Sequence, residues 1–145
     1  MINSFWGRYR FLSNFYPCDI DYEGMLYPSS EHAYQAAKCE NITDRRKFLS
    51  GTAGNAKRLG KNIIVRKDWD TVKLSIMEEI VRIKFKNPEV RNLLLATNDL
   101  YIEEGNGWGD TFWGVCKGKG QNHLGKILMK IRKEIQDEMR IQQSI

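Results

Sequence analysis

No stretch of the sequence is apolar over the roughly 20 residues that a membrane-spanning helix requires, and no membrane partner is expected. The first residues, Met1-Ile2-Asn3-Ser4-Phe5-Trp6-Gly7, lack the basic-then-apolar layout of a secretory signal. Cysteine is scarce. Cys18, Cys39 and Cys116 are odd in number, far apart and without a C-x-x-C pair, which argues against a disulfide framework or a zinc knuckle. Cys18 and Cys39 read as small buried hydrophobes. The two histidines, His32 and His123, form no H-E-x-x-H pattern. Carboxylates bind magnesium, but nothing calls for a metal, and no cofactor is expected. The phosphate-binding G-x-x-x-x-G-K-[ST] loop is missing. The Gly-x-Gly spacing at 105–109 opens no helix, so the dinucleotide fingerprint fails as well. There is no internal repeat and no linker. One domain over 1–145 is expected, with the tail fraying after about residue 139.

What is present is ordinary globular material. The 145 residues are 41% hydrophobic and 11% aromatic, enough for a sizeable core. A formal net charge of +5 suits a phosphate-bearing or nucleic-acid substrate without reaching the density of an obligate duplex binder.

The most informative stretch is Tyr27-Pro28-Ser29-Ser30-Glu31-His32-Ala33-Tyr34-Gln35-Ala36-Ala37-Lys38. Cys18–Tyr22 and Met25–Tyr27 read as a hairpin around the Glu23-Gly24 turn. Pro28 then leads into a helix, and Ser29 is a good N-cap. Positions four and seven residues apart share a helix face, so Glu31, Gln35 and Lys38 line up. Ala33, Ala36 and Ala37 keep other sides slim. A carboxylate, an amide and an amine on one stripe can form an active-site wall. The same stripe is also what a solvated helix face looks like, with Glu31 opposing the positive end of the dipole.

Further along, residues 43–50 and 52–60 read as two short helices, the second stopped by Gly60. Residues 62–66 fit either a strand or a linker. Val72, Ile76, Ile80 and Ile83, with Met77 beside them, predict a long amphipathic helix that Asn87-Pro88 ends. Val90–Ala96 reads as a short helix and Leu100–Glu103 as a strand. A last helix starts near Asn122 with a stripe of Leu124, Leu128, Ile131, Ile135 and Met139. Between them, residues 105–120 carry six glycines around Trp108, Asp110, Phe112, Trp113, Lys117 and Lys119. Glycine lets backbone N–H groups approach a phosphate, and the helix at Asn122 would complete such a site. The alternative is an exposed mobile loop, against which the two tryptophans argue. Asp110 fits a turn. With Glu31 it also offers paired carboxylates for glycoside-bond chemistry.

Phe11-Leu12-Ser13-Asn14-Phe15, Tyr27 to His32 and Gln35 to Lys38 resemble the N-terminal signature of the NADAR family of YbiA-like N-glycosidases. Arg66 with Asp68-Trp69, Met77, Lys84-Phe85 and Leu94 resemble its middle. Glu103, Asp110, Trp113-Gly114, Asn122 to Gly125, Leu128-Met129 and Arg132 resemble its end. The chain departs from the pattern at Thr97-Asn98-Asp99, at Gly105 to Gly109 and after Gly114. These departures bear on substrate identity more than on reaction type. The resemblance implies an α+β domain, mainly helical with a small antiparallel β component. It also implies an enzyme cleaving a ribose C1′–N bond. The substrate would be ADP-ribose on guanine in DNA or other nucleic acid, or a phosphorylated N-riboside, namely a ribosylaminopyrimidine of riboflavin synthesis. A cytoplasmic location is expected, a phage-encoded protein in its host included. Oligomeric state is open.

Such cleavage builds positive charge on the sugar, which an ionised carboxylate stabilises. Glu31 takes that role. Asp110 would position water or the leaving base, and Lys38, if desolvated, could form a Schiff base with the opened ribose. Gln35 belongs to the wall. Trp69 or Trp113 would stack on the base, although Trp69 at a helix start also suits a core anchor. Asn14 and Asn122 would bind ribose hydroxyls or phosphate. The rival reading is a module that binds ADP-ribose or a nucleotide without cleaving it. A nucleic-acid coating protein ranks third.

Overall fold

Glu23 and Gly24 both adopt positive φ (48° and 84°), the backbone that a two-residue hairpin turn requires. They join strand β1 (Ile20–Tyr22) to strand β2 (Met25–Tyr27), antiparallel with Ile20 opposite Tyr27 and Tyr22 opposite Met25. The computed structural model describes residues 1–144. They fall into two units, one of Ser13–Lys84 and one of Met1–Leu12 together with the chain from Phe85 onward. Among the described residues there are six α-helices and four short strands, an α+β and mainly helical fold. None of these helices is long and apolar enough to cross a membrane.

In the Ser13–Lys84 unit the hairpin leads into helix α1 (Ser30–Ala37). Ser29 caps it as the sequence predicts, its hydroxyl accepting from the His32 N–H at 3.2 Å. All eight residues of α1 are buried, including Ala33, Ala36 and Ala37, whose small side chains let neighbours approach closely. Those neighbours include helices α3 (Ala53–Leu59) and α4 (Trp69–Lys84). Helix α2 (Ile42–Arg45) and a 3-10 turn over Arg46–Phe48 bury Phe48. Thr52 caps α3 by accepting from the Asn55 N–H. Residues 62–66 form no strand beyond an isolated bridge between Val65 and Cys39.

The predicted stripe of α4 is displaced. Ile76, Met77 and Ile80 are buried, but Val72 and Ile83 are only half-buried, while Val81 and Lys84 are buried with them. Hydrophobicity placed the seam at Ile83, whereas geometry places a lysine there. Lys84 is 1% exposed. Its amine donates to the Ser13 carbonyl at 2.8 Å and lies 5.8 Å from the Tyr16 ring centroid.

The other unit begins with a 3-10 helix at Gly7–Leu12 that buries Phe11 and Leu12 and touches helix α5 (Pro88–Leu95). The Asn87-Pro88 break is a built helix start, because the Asn87 side chain accepts from the Glu89 N–H and Pro88 opens the first turn. Leu100–Glu103 does not form the expected strand. It makes a single parallel bridge, between Ile102 and Ile2. Strands β3 (Gly105–Asn106) and β4 (Val115–Cys116) instead pair in parallel over two residues. Helix α6 (His123–Gln143) has a buried stripe that stops at Ile135, leaving Met139 exposed. Its Gly125 is needed for close approach, since a Cβ there would strike the Ile102 carbonyl and the Asn122 amide.

Two outcomes follow from this packing. Gly125→Ala should lower unfolding stability by about 1–3 kcal/mol, read by urea denaturation, because a backbone carbonyl cannot yield cheaply. Lys84 predicts a pH effect. Burial pushes its pKa from 10.5 down to about 7. Between those values the unfolded chain binds a proton that the folded chain lacks, so stability rises with pH. From pH 7 to 8.5 this one residue adds a slope approaching ~1.4 kcal/mol per pH unit. Lys84→Met should remove that slope.

Candidate functional site

Burial decides between the two readings of the α1 stripe. Glu31 is 8% and Gln35 5% exposed, so this is no solvated face. The Gln35 amide donates to Glu31 Oε1 at 2.8 Å, which orients the carboxylate. Its other end, Oε1, is buried without a hydrogen-bond partner among the described residues and abuts Gly60, where any Cβ would collide with it. A buried unsatisfied acceptor costs about 1–3 kcal/mol. Flipping the amide would bring its oxygen against the carboxylate, so the orphaned oxygen is the better of two arrangements.

The backbone of this first turn is held from outside the helix. The Asn14 carbonyl accepts from the Glu31 N–H at 3.0 Å, and Asn14 Oδ1 accepts from the Ser30 hydroxyl at 2.9 Å. The Asn14 amide nitrogen sits 3.5 Å from Met77 Sδ. Two of the candidates, Asn14 and Glu31, thus meet through main chain. His32 is 2% exposed and lies between the Ser29 hydroxyl at Nδ1 (2.7 Å) and the Gly51 carbonyl at Nε2 (3.0 Å). The carbonyl can only accept, so Nε2 carries a proton. The imidazole is held on both sides by the fold.

Lys38 follows α1 as its C-cap and is half-buried. Burial lowers the pKa of its amine, outweighing the attraction of Glu31 that would raise it. The ammonium nitrogen is 5.6 Å from the Tyr34 ring centroid. Tyr34 in turn packs on Trp69 at 5.1 Å between centroids. Trp69 is buried, and its ring is engaged as a core anchor.

Asp110, Trp113 and Asn122 belong to the other unit, where the fold uses their polar groups. Asp110 Oδ1 accepts from the N–H groups of Phe112 and Trp113 at 3.1 and 2.9 Å. Asn106 bridges back to both backbone groups of Asp110. The turn reading of Asp110 is therefore realised. Trp113 is half-buried against Phe112 and His123. Asn122 adopts left-handed backbone, φ 54°. Its side chain accepts from the Glu104 N–H and donates to the Ile102 carbonyl, both at 2.9 Å. With both ends of its amide occupied and 3% exposure, Asn122 acts as a tie between segments.

The expected phosphate site at the start of α6 is sealed. The N–H groups of Gln121, His123 and Leu124 donate to the carbonyls of Thr111, Phe112 and Trp113, so the positive end of the helix faces its own loop. Sequence reasoning missed Ser30, Met77 and Lys84 as supports of the α1 turn. The Lys84 amine on Ser13 holds the residue preceding Asn14. A lysine beside an apolar stripe was the available signal. Among the described residues no three His, Cys, Asp or Glu side chains group as metal ligands.

Residues 4–136 match the NADAR domain family. A riboflavin biosynthesis protein of Vibrio vulnificus is 42% identical over 135 residues, covering 90% of this chain, and the chain spans 36% of that protein's length. An N-glycosidase of Nostoc punctiforme is 38% identical over 91% of this chain and 89% of its own length. The N-glycosidase YbiA of Escherichia coli is 35% identical over 88% of this chain and 82% of its own. The NMR structure of E. coli YbiA aligns with a TM-score of 0.82 at 33% identity, covering 96% of this chain and 89% of that one. With the family pattern matched from residue 4 to residue 136 and a solved relative sharing the fold, the chain belongs to the NADAR domain family.

Proposed function

We propose that this NADAR protein is an N-glycosidase that cleaves a ribose C1′–N bond. The observation that carries the reading is a buried, oriented carboxylate at Glu31 sharing a helix face with an amine, Lys38, whose pKa burial lowers. N-glycosidase relatives matched over most of their length support the reaction class. The substrate is ADP-ribose attached to guanine in nucleic acid or a ribosylaminopyrimidine phosphate. The riboflavin biosynthesis relative favours the second, and the +5 charge fits either.

In the proposed reaction the Lys38 amine, in its neutral form, attacks C1′. The C1′–N bond breaks as C1′–Nζ forms, and the base leaves with the bonding pair and takes up a proton. The positive charge that develops on the sugar is stabilised by the Glu31 carboxylate, which Gln35 keeps in place. Opening of the ring at O4′ gives an imine. Water hydrolyses the imine to the free ribose product and returns the amine. The net change is substrate plus water to free base plus ribose.

Glu31→Gln is expected to keep substrate binding and lower kcat by 10²-fold or more, with released base quantified by mass spectrometry. Unchanged kcat would remove Glu31 from the chemistry. Borohydride added during turnover should give a protein adduct one reduced sugar heavier. Lys38→Met should not form it. Cleavage without any adduct in the parent protein would assign the attack to water instead. Guanine-ADP-ribosylated DNA and a ribosylaminopyrimidine phosphate, tested separately, identify the substrate by which free base or sugar is released.

A further inference from the structure

Lys84 raises a question that packing does not answer. It is 1% exposed on α4, and taking its amine out of water carries a cost that a methionine of similar length would avoid. What the amine does in the interior is reach a neighbouring turn. It donates to the Ser13 carbonyl at 2.8 Å and lies 5.8 Å from the Tyr16 ring centroid. Both ends of the segment Ser13–Tyr16 therefore meet the same side chain.

That segment is a closed turn. The Ser13 carbonyl also accepts from the Tyr16 N–H at 3.1 Å, and the Ser13 hydroxyl accepts from the Phe15 N–H at 3.1 Å. A carbonyl oxygen has two lone pairs, so one donor closes the turn while the other ties it to α4. Met77 adds a second tie. It stands seven residues before Lys84, on nearly the same face of the helix, and its Sδ lies 3.5 Å from the Asn14 amide nitrogen. One face of α4 thus grips two consecutive residues of the turn, Ser13 through Lys84 and Asn14 through Met77.

The turn presents the Asn14 carbonyl to the start of α1. Glu31 is the second residue of that helix, so its N–H has no partner within the helix. The Asn14 carbonyl accepts it at 3.0 Å, and the Ser30 hydroxyl donates to Asn14 Oδ1 at 2.9 Å. A turn that shifted would leave the Glu31 N–H without its acceptor in a buried helix start, and the main chain carrying the carboxylate would move with it. Gln35 orients the far end of the same side chain. The carboxylate is therefore placed from both ends, and Lys84 stands behind the main-chain end.

We propose that Lys84 is a positioning residue for Glu31, its buried amine fixing the Ser13–Tyr16 turn so that Asn14 holds the main chain from which the carboxylate projects. Lys84 touches no reacting group in this role. The proposal rests on Glu31 serving in cleavage, but the placement of Glu31 is readable without any substrate.

Amide hydrogen exchange followed by NMR, together with steady-state kinetics on the two substrates named above, tests it. Lys84→Met should speed exchange of the Glu31 amide by about tenfold or more while the amides of Ile80 and Val81 stay protected. It should also lower kcat by about tenfold or more with KM changed less than about twofold. Ile80→Val, an equally buried change on the same helix, should alter neither the Glu31 amide nor kcat by more than about twofold. Ser13→Gly keeps Lys84 but removes the hydroxyl that holds Phe15, and it should speed Glu31 exchange in the same direction. This second variant carries the test if Lys84→Met does not fold. A Glu31 amide as protected in Lys84→Met, or in Ser13→Gly, as in the parent protein would overturn the proposal. So would an equal loss of protection at Glu31 and Ile80, which marks general loosening, or a faster Glu31 amide with unchanged kcat. A parent protein that cleaves neither substrate removes the cleavage reading, and the placement of Glu31 by Lys84 then stands or falls on the amide rates.

Discussion

A helix that is buried over its whole length must find partners for its first N–H groups without help from water. In α1 that demand is met from two sides. Ser29 supplies its hydroxyl to His32, and the Asn14 carbonyl reaches in to Glu31. The second bond fixes the loop around Asn14 to the helix start, and the Ser30 hydroxyl on Asn14 Oδ1 repeats the tie. Lys84 anchors the preceding residue from the far end of α4. The alanines of α1 then admit α3 and α4 at close range. The geometry of the Glu31 carboxylate is a consequence of how this one turn is made acceptable to the interior.

The other unit solves a similar problem differently. The start of α6 is closed by carbonyls of the glycine-rich segment that precedes it, and Asp110, Asn106 and Asn122 knit that segment together. Most of its polar side chains are absorbed in this internal bracing.

Much of the Ser13–Lys84 unit was legible in the sequence because local signals and tertiary demand agree there. Glu23-Gly24, Ser29, Thr52 and Gly60 each mark a boundary that the structure keeps. The partition of polar residues was less legible. A free-standing reading of Asn122 or Asp110 cannot tell a side chain that meets substrate from one that meets a backbone N–H, eighteen residues away for Asn122 and two or three away for Asp110, since both need the same donors and acceptors. Periodicity misplaced the seam of α4 because it ranks Ile83 above Lys84, while an aliphatic stem and one carbonyl suffice to seat a lysine inside. The strand expected at Leu100–Glu103 failed for a similar reason. Its composition suits a strand, but pairing needs a neighbour of matching length, and Ile2 offers only one bridge.

Gly60 stops α3 with an unremarkable backbone, φ −61°. Its glycine is required by what lies beside it, the carbonyl end of the Gln35 amide. Positions 35 and 60 therefore behave as a single heritable unit. A side chain at 60 would demand a shorter or differently turned residue at 35, and the carboxylate at 31 would lose its guide. Drift at a helix terminus 25 positions away along the chain is in this way tied to the Glu31 carboxylate, and relatives that change one of these two positions should be found to have changed the other.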